Sequence, residues 1–307
     1  MKKIHYSWVI CASGTILMFA AVGLTITAFS VYQPYIISVN GFSNTQASML
    51  TSIRSVFFLV ALMLVEPVYK KLNLRWGMTL AMVLTAGCFF LYGVSKGYFM
   101  YCVSSALAGV AYAMGGMIPV SLLIGRWFRD KVGLAMGICS AGTGISAVVV
   151  PPIATKIIET QSLRAAFLFE GVCVVALAVL IFLLVRNSPA EKGLTPLRAA
   201  EKPGKKAEDR VVHKSKINLD KRTFIYMLIA MAFLTSMGNT GYCHLAVLYS
   251  TEGYSADAVA AIMSFAGVSL MVGKCIYGNL ADRIGGYRSN VVAYGLSVLG
   301  AVFCALA

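Results

Sequence analysis

Apolar residues fall along this chain in runs of about 20, the length a helix needs to cross a hydrocarbon core. Nine such segments are predicted, at about 8–31, 46–69, 77–95, 98–125, 132–157, 165–186, 223–249, 256–280 and 289–307. Lipid offers no partner for backbone N–H and C=O groups, so each segment is expected to be helical. Lone glycines and prolines inside the segments are tolerated for the same reason. One stretch breaks the pattern. Residues 187–222, with the run EKGLTPLRAAEKPGKKAEDR, are densely charged, hold Pro and Gly and show no long apolar face. That is the composition of a mobile linker. The predicted fold is therefore all-α and polytopic: a six-helix bundle over 1–186, a linker over 187–222, and a partial second bundle of three helices over 223–307.

Composition agrees with the pattern. Hydrophobic residues make up 59% of the 307 positions and charged residues 12%, against roughly 25% charged in a soluble domain. Lys and Arg number 26 against 12 Asp and Glu, which could suggest a nucleic-acid partner, but their placement argues otherwise. Loops at 1–5, 70–76, 126–131, 186–222 and 281–288 hold 21 of the 26, and the opposite loops hold three, Lys96, Lys156 and Arg164. Without the long charged loop the ratio is still 10 to 3. This is the positive-inside pattern of a multi-pass protein with a cytoplasmic N-terminus, expected in a plasma (inner) membrane. Stacking platforms and a soluble basic face are missing, so no nucleic-acid partner is expected.

The eight cysteines are scattered singly in apolar segments without CxxC spacing, so neither a disulfide framework nor a metal site is indicated. A phosphate-binding Gly-Lys loop is absent, and no nucleophile, base and orienter are recognisable. The chain is read as a non-enzyme that needs no cofactor. Six helices, a linker and further helices form the order expected of a transporter with two parallel six-helix repeats. The ninth segment stays apolar to Ala307 without a basic stop or polar tail. The sequence is therefore expected to be a fragment, with nine of twelve helices present.

Loop motifs sharpen this reading. After the eighth segment stands GNLADRIGGYRSN, with Gly278, Asp282, Arg283, Gly285 and Arg288. Gly278 would let two backbones approach closely. Asp282 could pair with a base or sit against a helix N-terminus and so latch one side shut, and Gly285 would permit a tight turn. This run resembles the signature loop of the major facilitator superfamily, with one extra residue before the last Arg. The matching stretch between helices two and three, EPVYKKLNLRWGM, departs from the family pattern: Lys70 stands where Asp is usual and Asn73 where Gly is usual, and Arg75 keeps the basic end. A third run, GRWFRDKVGLAMGICSAGTGISAVVVPPI over 125–153, looks like the loop of monocarboxylate-type and oxalate/formate-type porters. In it Arg126 and Arg129 belong to the cytoplasmic face, Trp127 to the interface belt, and Gly133, Gly137 and Ala141 to a small-residue stripe for helix contact.

Two cations lie at depth in the predicted membrane, where a charge costs about 2.5–3.5 kcal/mol on insertion scales. They are Arg54 in helix two and Lys274 in helix eight. The resemblance implies that a cationic residue near Lys274 contacts a substrate carboxylate; Lys neutralises an anion but lacks the bidentate fork of Arg. Tyr32, Tyr35, Tyr112, Tyr242 and His244 are the further candidate cavity residues, since helices one, four and seven line the cavity in this superfamily. Tyr32 and Tyr35 fit an interface belt equally well. His244 could titrate or be a satisfied core histidine. Glu66 is expected to pair with loop bases. Glu170, about two turns from Arg164, is expected to serve packing or anchoring. The implied function is secondary transport of a small organic anion, a mono- or dicarboxylate, coupled to protons or a counter-anion and carried out by a monomer in the lipid bilayer. Its rivals are a proton-coupled exporter of drugs or amphiphiles and a transporter-like membrane sensor.

Overall fold

The computed structural model describes residues 5–197, 220, 222, 224–226, 228–229, 249, 252–254 and 256–306. The chain divides into two units, 1–197 with 264–307, and 198–263. In the second unit, the Tyr254 amide donates to the Tyr249 carbonyl at 3.1 Å and their rings meet edge to face at 5.4 Å.

The first unit is helical throughout its long elements. The first apolar segment runs as α1 (Tyr6–Leu17), a π-helical stretch (Met18–Ala28) and α2 (Phe29–Asn40). It reaches beyond the predicted end at 31 because Tyr32 and Ile36 are packed inside, 0% and 1% exposed, so Gln33-Pro34 does not mark an exit. Next come α3 (Asn44–Lys71) and α4 (Leu74–Val94). The fourth segment divides at Gly116 into α5 (Tyr98–Gly115) and α6 (Met117–Trp127). Pro119 sits in the first turn of α6, where its missing N–H leaves no bond unmade. Then follow α7 (Val132–Thr160) and α8 (Leu163–Leu184), and later α9 (Ala256–Ile284), which enters the first unit at Ser264, and α10 (Gly286–Leu306). Seven helical stretches among the described residues are long and apolar enough to cross a membrane. Most of the predicted seventh segment, 223–249, lies outside the described residues, as do Tyr242 and His244.

Local signals explain several helix ends. Ser43 Oγ accepts from the Gln46 amide at 3.2 Å while Gln46 Oε1 accepts from the Ser43 amide at 2.9 Å, a reciprocal cap that starts α3. Ser162 Oγ caps α8 through the Ala165 amide at 3.1 Å. Gly285 takes φ +84°, a conformation that suits glycine, and joins α9 to α10 through a single residue.

The helices pack as α4 along α8, α3 along α5, and α7 along α1 and the π-helical stretch. Tyr32, Phe89, Tyr92, Trp127, Phe128 and Phe167 fill the core. Trp127 is fully buried, its Nε1 donating to the Arg186 carbonyl at 3.1 Å, so it does not face headgroups as the sequence suggested. The start of the expected linker is also held in place. Leu197 pairs with backbone on both sides of Phe128: its amide donates to the Trp127 carbonyl at 2.9 Å, and its carbonyl accepts from Arg129 at 3.0 Å. Extended backbone there found an edge to bond to, which composition does not reveal.

Candidate functional site

The candidate site is the seam between α7 and α9, built first from glycines. A Cβ placed on Gly133 would lie 2.6 Å from the Gly278 carbonyl oxygen. One on Gly137 would lie 2.6 Å from the Lys274 carbonyl, and one on Gly144 would lie 2.9 Å from the Met271 Cβ. Real Cβ atoms do not approach so closely, so these two backbones meet only because three positions on α7 carry no side chain. Gly278 adds a fourth, from the facing helix.

Two polar side chains of α9 then reach across. Asp282 caps α7: Oδ1 accepts from the Gly133 amide at 2.8 Å and Oδ2 from the Leu134 amide at 2.7 Å. The residue at the N-cap itself, Lys131, offers no side-chain cap and sits at φ 58°. The first orphan amides of α7 are thus satisfied from another helix, by a charge whose sign suits a helix N-terminus. About two turns deeper, Lys274 is half-buried and its Nζ donates to the Ser140 carbonyl at 3.2 Å and to Thr143 Oγ1. An ammonium carries three donors. Lys70 pairs with Glu66 at 2.8 Å on the exposed end of α3, and no carboxylate among the described residues pairs with Lys274, which rests on neutral acceptors.

Arg54 occupies a different place. It is 8% exposed on α3, with Nη1 donating to the Thr25 carbonyl at 2.5 Å and the guanidinium 5.2 Å from the Phe29 ring. Thr25 belongs to the π-helical stretch, a geometry rare in proteins and concentrated at functional positions. α5 comes close here, since a Cβ on Gly109 would run into the Arg54 carbonyl. Tyr112, one turn on, stacks on Phe58 with centroids 4.1 Å apart.

The other predicted residues separate into groups. Arg75 and Arg126 converge on the end of α8: the Arg75 amide donates to Asn187 Oδ1 at 3.1 Å and its Nε to the Phe182 carbonyl at 2.7 Å, while Arg126 Nη1 donates to the Asn187 carbonyl at 3.3 Å. Arg283 and Arg288 are exposed. Tyr35 is half-buried against the core. Tyr32 is buried and donates to Glu170 Oε1 at 2.5 Å, a link across 138 residues, so it does not face headgroups. Ser140, Thr143 and Thr25 escaped the sequence reading. The first two stand three apart beside the glycine stripe, a spacing that puts both on one face.

Comparison with known proteins gives the family. The profile of the Major Facilitator Superfamily matches residues 14–307. The chain is similar to an oxalate:formate antiporter of Oxalobacter formigenes, 27% identical over 66% of this chain and 45% of that protein. It is similar to monocarboxylate transporter 12 of Xenopus laevis, 25% identical over 60% of this chain and 43% of that one. An aspyridones efflux protein of Emericella nidulans is 25% identical over 92% and 55%. Among solved structures, a bacterial homolog of the human lysosomal transporter Spinster superposes with a TM-score of 0.53 at 15% identity, covering 92% of this chain and 60% of that one. The chain spans about half the length of the curated relatives it matches.

Proposed function

The chain belongs to the Major Facilitator Superfamily, and from that membership we propose that it is part of a secondary carrier for a small organic anion, a mono- or dicarboxylate. The carrier works by alternating access, coupled to protons or a counter-anion. Lys274 is the primary contact for the anion, with Arg54 as a second source of positive charge. Tyr35 and Tyr112, together with Tyr242 and His244, remain candidate lining, while Tyr32 is buried on Glu170 and drops out. Gly278, Asp282, Arg283, Gly285, Arg288, Arg75 and Arg126 belong to the latch on the cytoplasmic side, which the distribution of basic loops assigns to the N-terminus as well.

One observation carries the reading. An ammonium within a membrane helix is held by a carbonyl and a hydroxyl, with no carboxylate beside it among the described residues. Such a charge is costly in lipid, and an anionic passenger would supply the missing partner. Likeness to proteins named for oxalate, formate and monocarboxylates supports the same chemistry.

The test is counterflow of labelled mono- and dicarboxylates in proteoliposomes holding the full-length protein. Exchange is expected to fall about 10- to 100-fold in Lys274→Ala, the range of a hydrogen bond to a charged group. Unchanged exchange in both Lys274→Ala and Arg54→Ala would refute the anion site. A second reading, export of an amphiphile by proton antiport, is favoured by the likeness to an efflux protein; under it, export survives Lys274→Ala.

A further inference from the structure

Away from the seam, a cavity of about 170 Å³ lies between α7 and α8, closed on its inner side by the π-helical stretch and α2. No residue of α9 lines it. Its walls are apolar except for Tyr32, Glu170 and Cys173. Three wall residues, Val149, Ile153 and Phe169, are 42%, 43% and 47% exposed, so the cavity opens on the outer surface of α7 and α8.

Glu170 sets the chemistry. It is 6% exposed, and its Oε1 accepts from the Tyr32 hydroxyl at 2.5 Å. Its Oε2 is buried and has no hydrogen-bond partner among the described residues. Tyr32 cannot turn away to serve it, because its ring stacks on Phe167 with centroids 4.5 Å apart. A buried acceptor without a donor is costly, and most such groups in proteins have a partner. The walls offer a second donor only in the weak thiol of Cys173. A cavity of this size matches one ring, since an apolar cavity of ~150 Å³ accepts benzene. The remaining walls would contact the ring and the carboxyl would take one polar hydrogen. A neutral hydroxyl suits the place better than an ammonium, which loses far more on leaving water for apolar walls.

We propose that this cavity is a binding site for a ring-sized apolar alcohol, phenol-like, that enters from the lipid and donates its hydroxyl to Glu170 Oε2. The site is separate from the Lys274 seam and stands whether or not an anion is carried.

Photolabelling tests it. The full-length protein in lipid nanodiscs is irradiated with a diazirine-bearing phenol, and adducts are mapped by mass spectrometry under competition by phenol, benzene or benzylamine. Adducts are expected on wall residues such as Ile153 and Phe169. Phenol should compete about tenfold better than benzene, the size of one neutral hydrogen bond. Glu170→Leu should erase that advantage, and so should Glu170→Gln, whose one carbonyl oxygen stays with the Tyr32 hydroxyl and whose NH2 puts a donor at the Oε2 position. Ala154→Leu fills the cavity from α7, keeps both Tyr32 and Glu170, and should abolish the adducts, so the test holds even if Glu170→Leu fails to fold. Equal competition by benzene and phenol overturns the proposal, as do adducts spread over lipid-facing helices that phenol does not displace. Benzylamine outcompeting phenol overturns the neutral-donor chemistry and assigns a cation instead.

Discussion

Asp282→Asn probes the link between α9 and α7 at its polar end. The substitution keeps the side chain's size and one acceptor oxygen. It removes the negative charge and turns the second oxygen into a donor that faces an amide. In the native chain both oxygens accept from amides, at 2.8 and 2.7 Å. A hydrogen bond to a charged group contributes about 1.5–3 kcal/mol, and a carboxylate at an exposed helix N-terminus about 0.3–1 kcal/mol from the helix dipole. Asp282 is exposed, which puts these contributions at their lower ends. With one acceptor retained, the expected loss is about 1–2 kcal/mol, or roughly 5- to 30-fold in the fraction of time the α7 amides are uncovered.

Hydrogen exchange reads that fraction directly. In the full-length protein in nanodiscs, the peptide spanning Lys131–Ala135 should exchange about 5- to 30-fold faster in Asp282→Asn, and faster still in Asp282→Ala. The start of α8 serves as the internal control, because its cap is its own Ser162 hydroxyl. Exchange there should not move. Unchanged exchange at Gly133 and Leu134 in both variants would show that the capping contact contributes nothing. A parallel rise at both helix starts would show general loosening, and would equally refute the reasoning.

Three further outcomes follow from the packing. Gly137→Val places branched carbon against the Lys274 backbone carbonyl, which cannot yield as a side chain would; exchange along α7 and α9 should rise together and carboxylate counterflow should be lost. Gly285→Ala forces an L residue to φ +84° at a cost of about 1–2 kcal/mol, and thermal unfolding followed by circular dichroism should show the loss; an unchanged midpoint contradicts it. Tyr32→Phe leaves Glu170 Oε1 without its donor, and buried unmade bonds cost about 1–3 kcal/mol in water-soluble proteins but average about 0.6 kcal/mol in membranes. Its midpoint should therefore fall less than that of Gly285→Ala, and a larger fall would show that the pair organises the surrounding aromatic cluster.

The long helices of the first unit and the separate pieces of the α7–α9 seam were legible in the sequence because their signals are local or repetitive, though not that the pieces meet. Runs of apolar residues need no partner to be read, and Gly133, Gly137 and Asp282 announce themselves by spacing and chemistry. What escaped depended on distant partners or on backbone detail. The π-helical stretch Met18–Ala28 has an apolar composition that reads the same at either winding, so Thr25 offered no hint of its carbonyl's role. Glu170 was read as a packing or anchoring residue, and its partner Tyr32, brought in by the packing of α2 on α8, is near only in space. Trp127 carried the signature of an interface residue, and only the carbonyl of Arg186 explains its burial.

The two polar links across the seam differ in what can replace them. Asp282 is a charge on two amides, a match of sign and geometry that a passing anion would not improve. Lys274 is a charge on a carbonyl and a hydroxyl, both neutral. A carboxylate adds the attraction of opposite charges to the hydrogen bond, so one reaching Lys274 would outcompete the neutral Ser140 carbonyl and Thr143 hydroxyl for the ammonium. On the proposed reading the deeper link therefore gives way to substrate while the outer one does not. Anion arrival would remove one of the two polar ties between α7 and α9 and leave the glycine seam closed at the Asp282 end. Ligand binding alone would then shift the balance between states only by the strength of the tie it replaces, which makes the Asp282 cap, rather than the substrate contact, the element that sets how readily the seam parts.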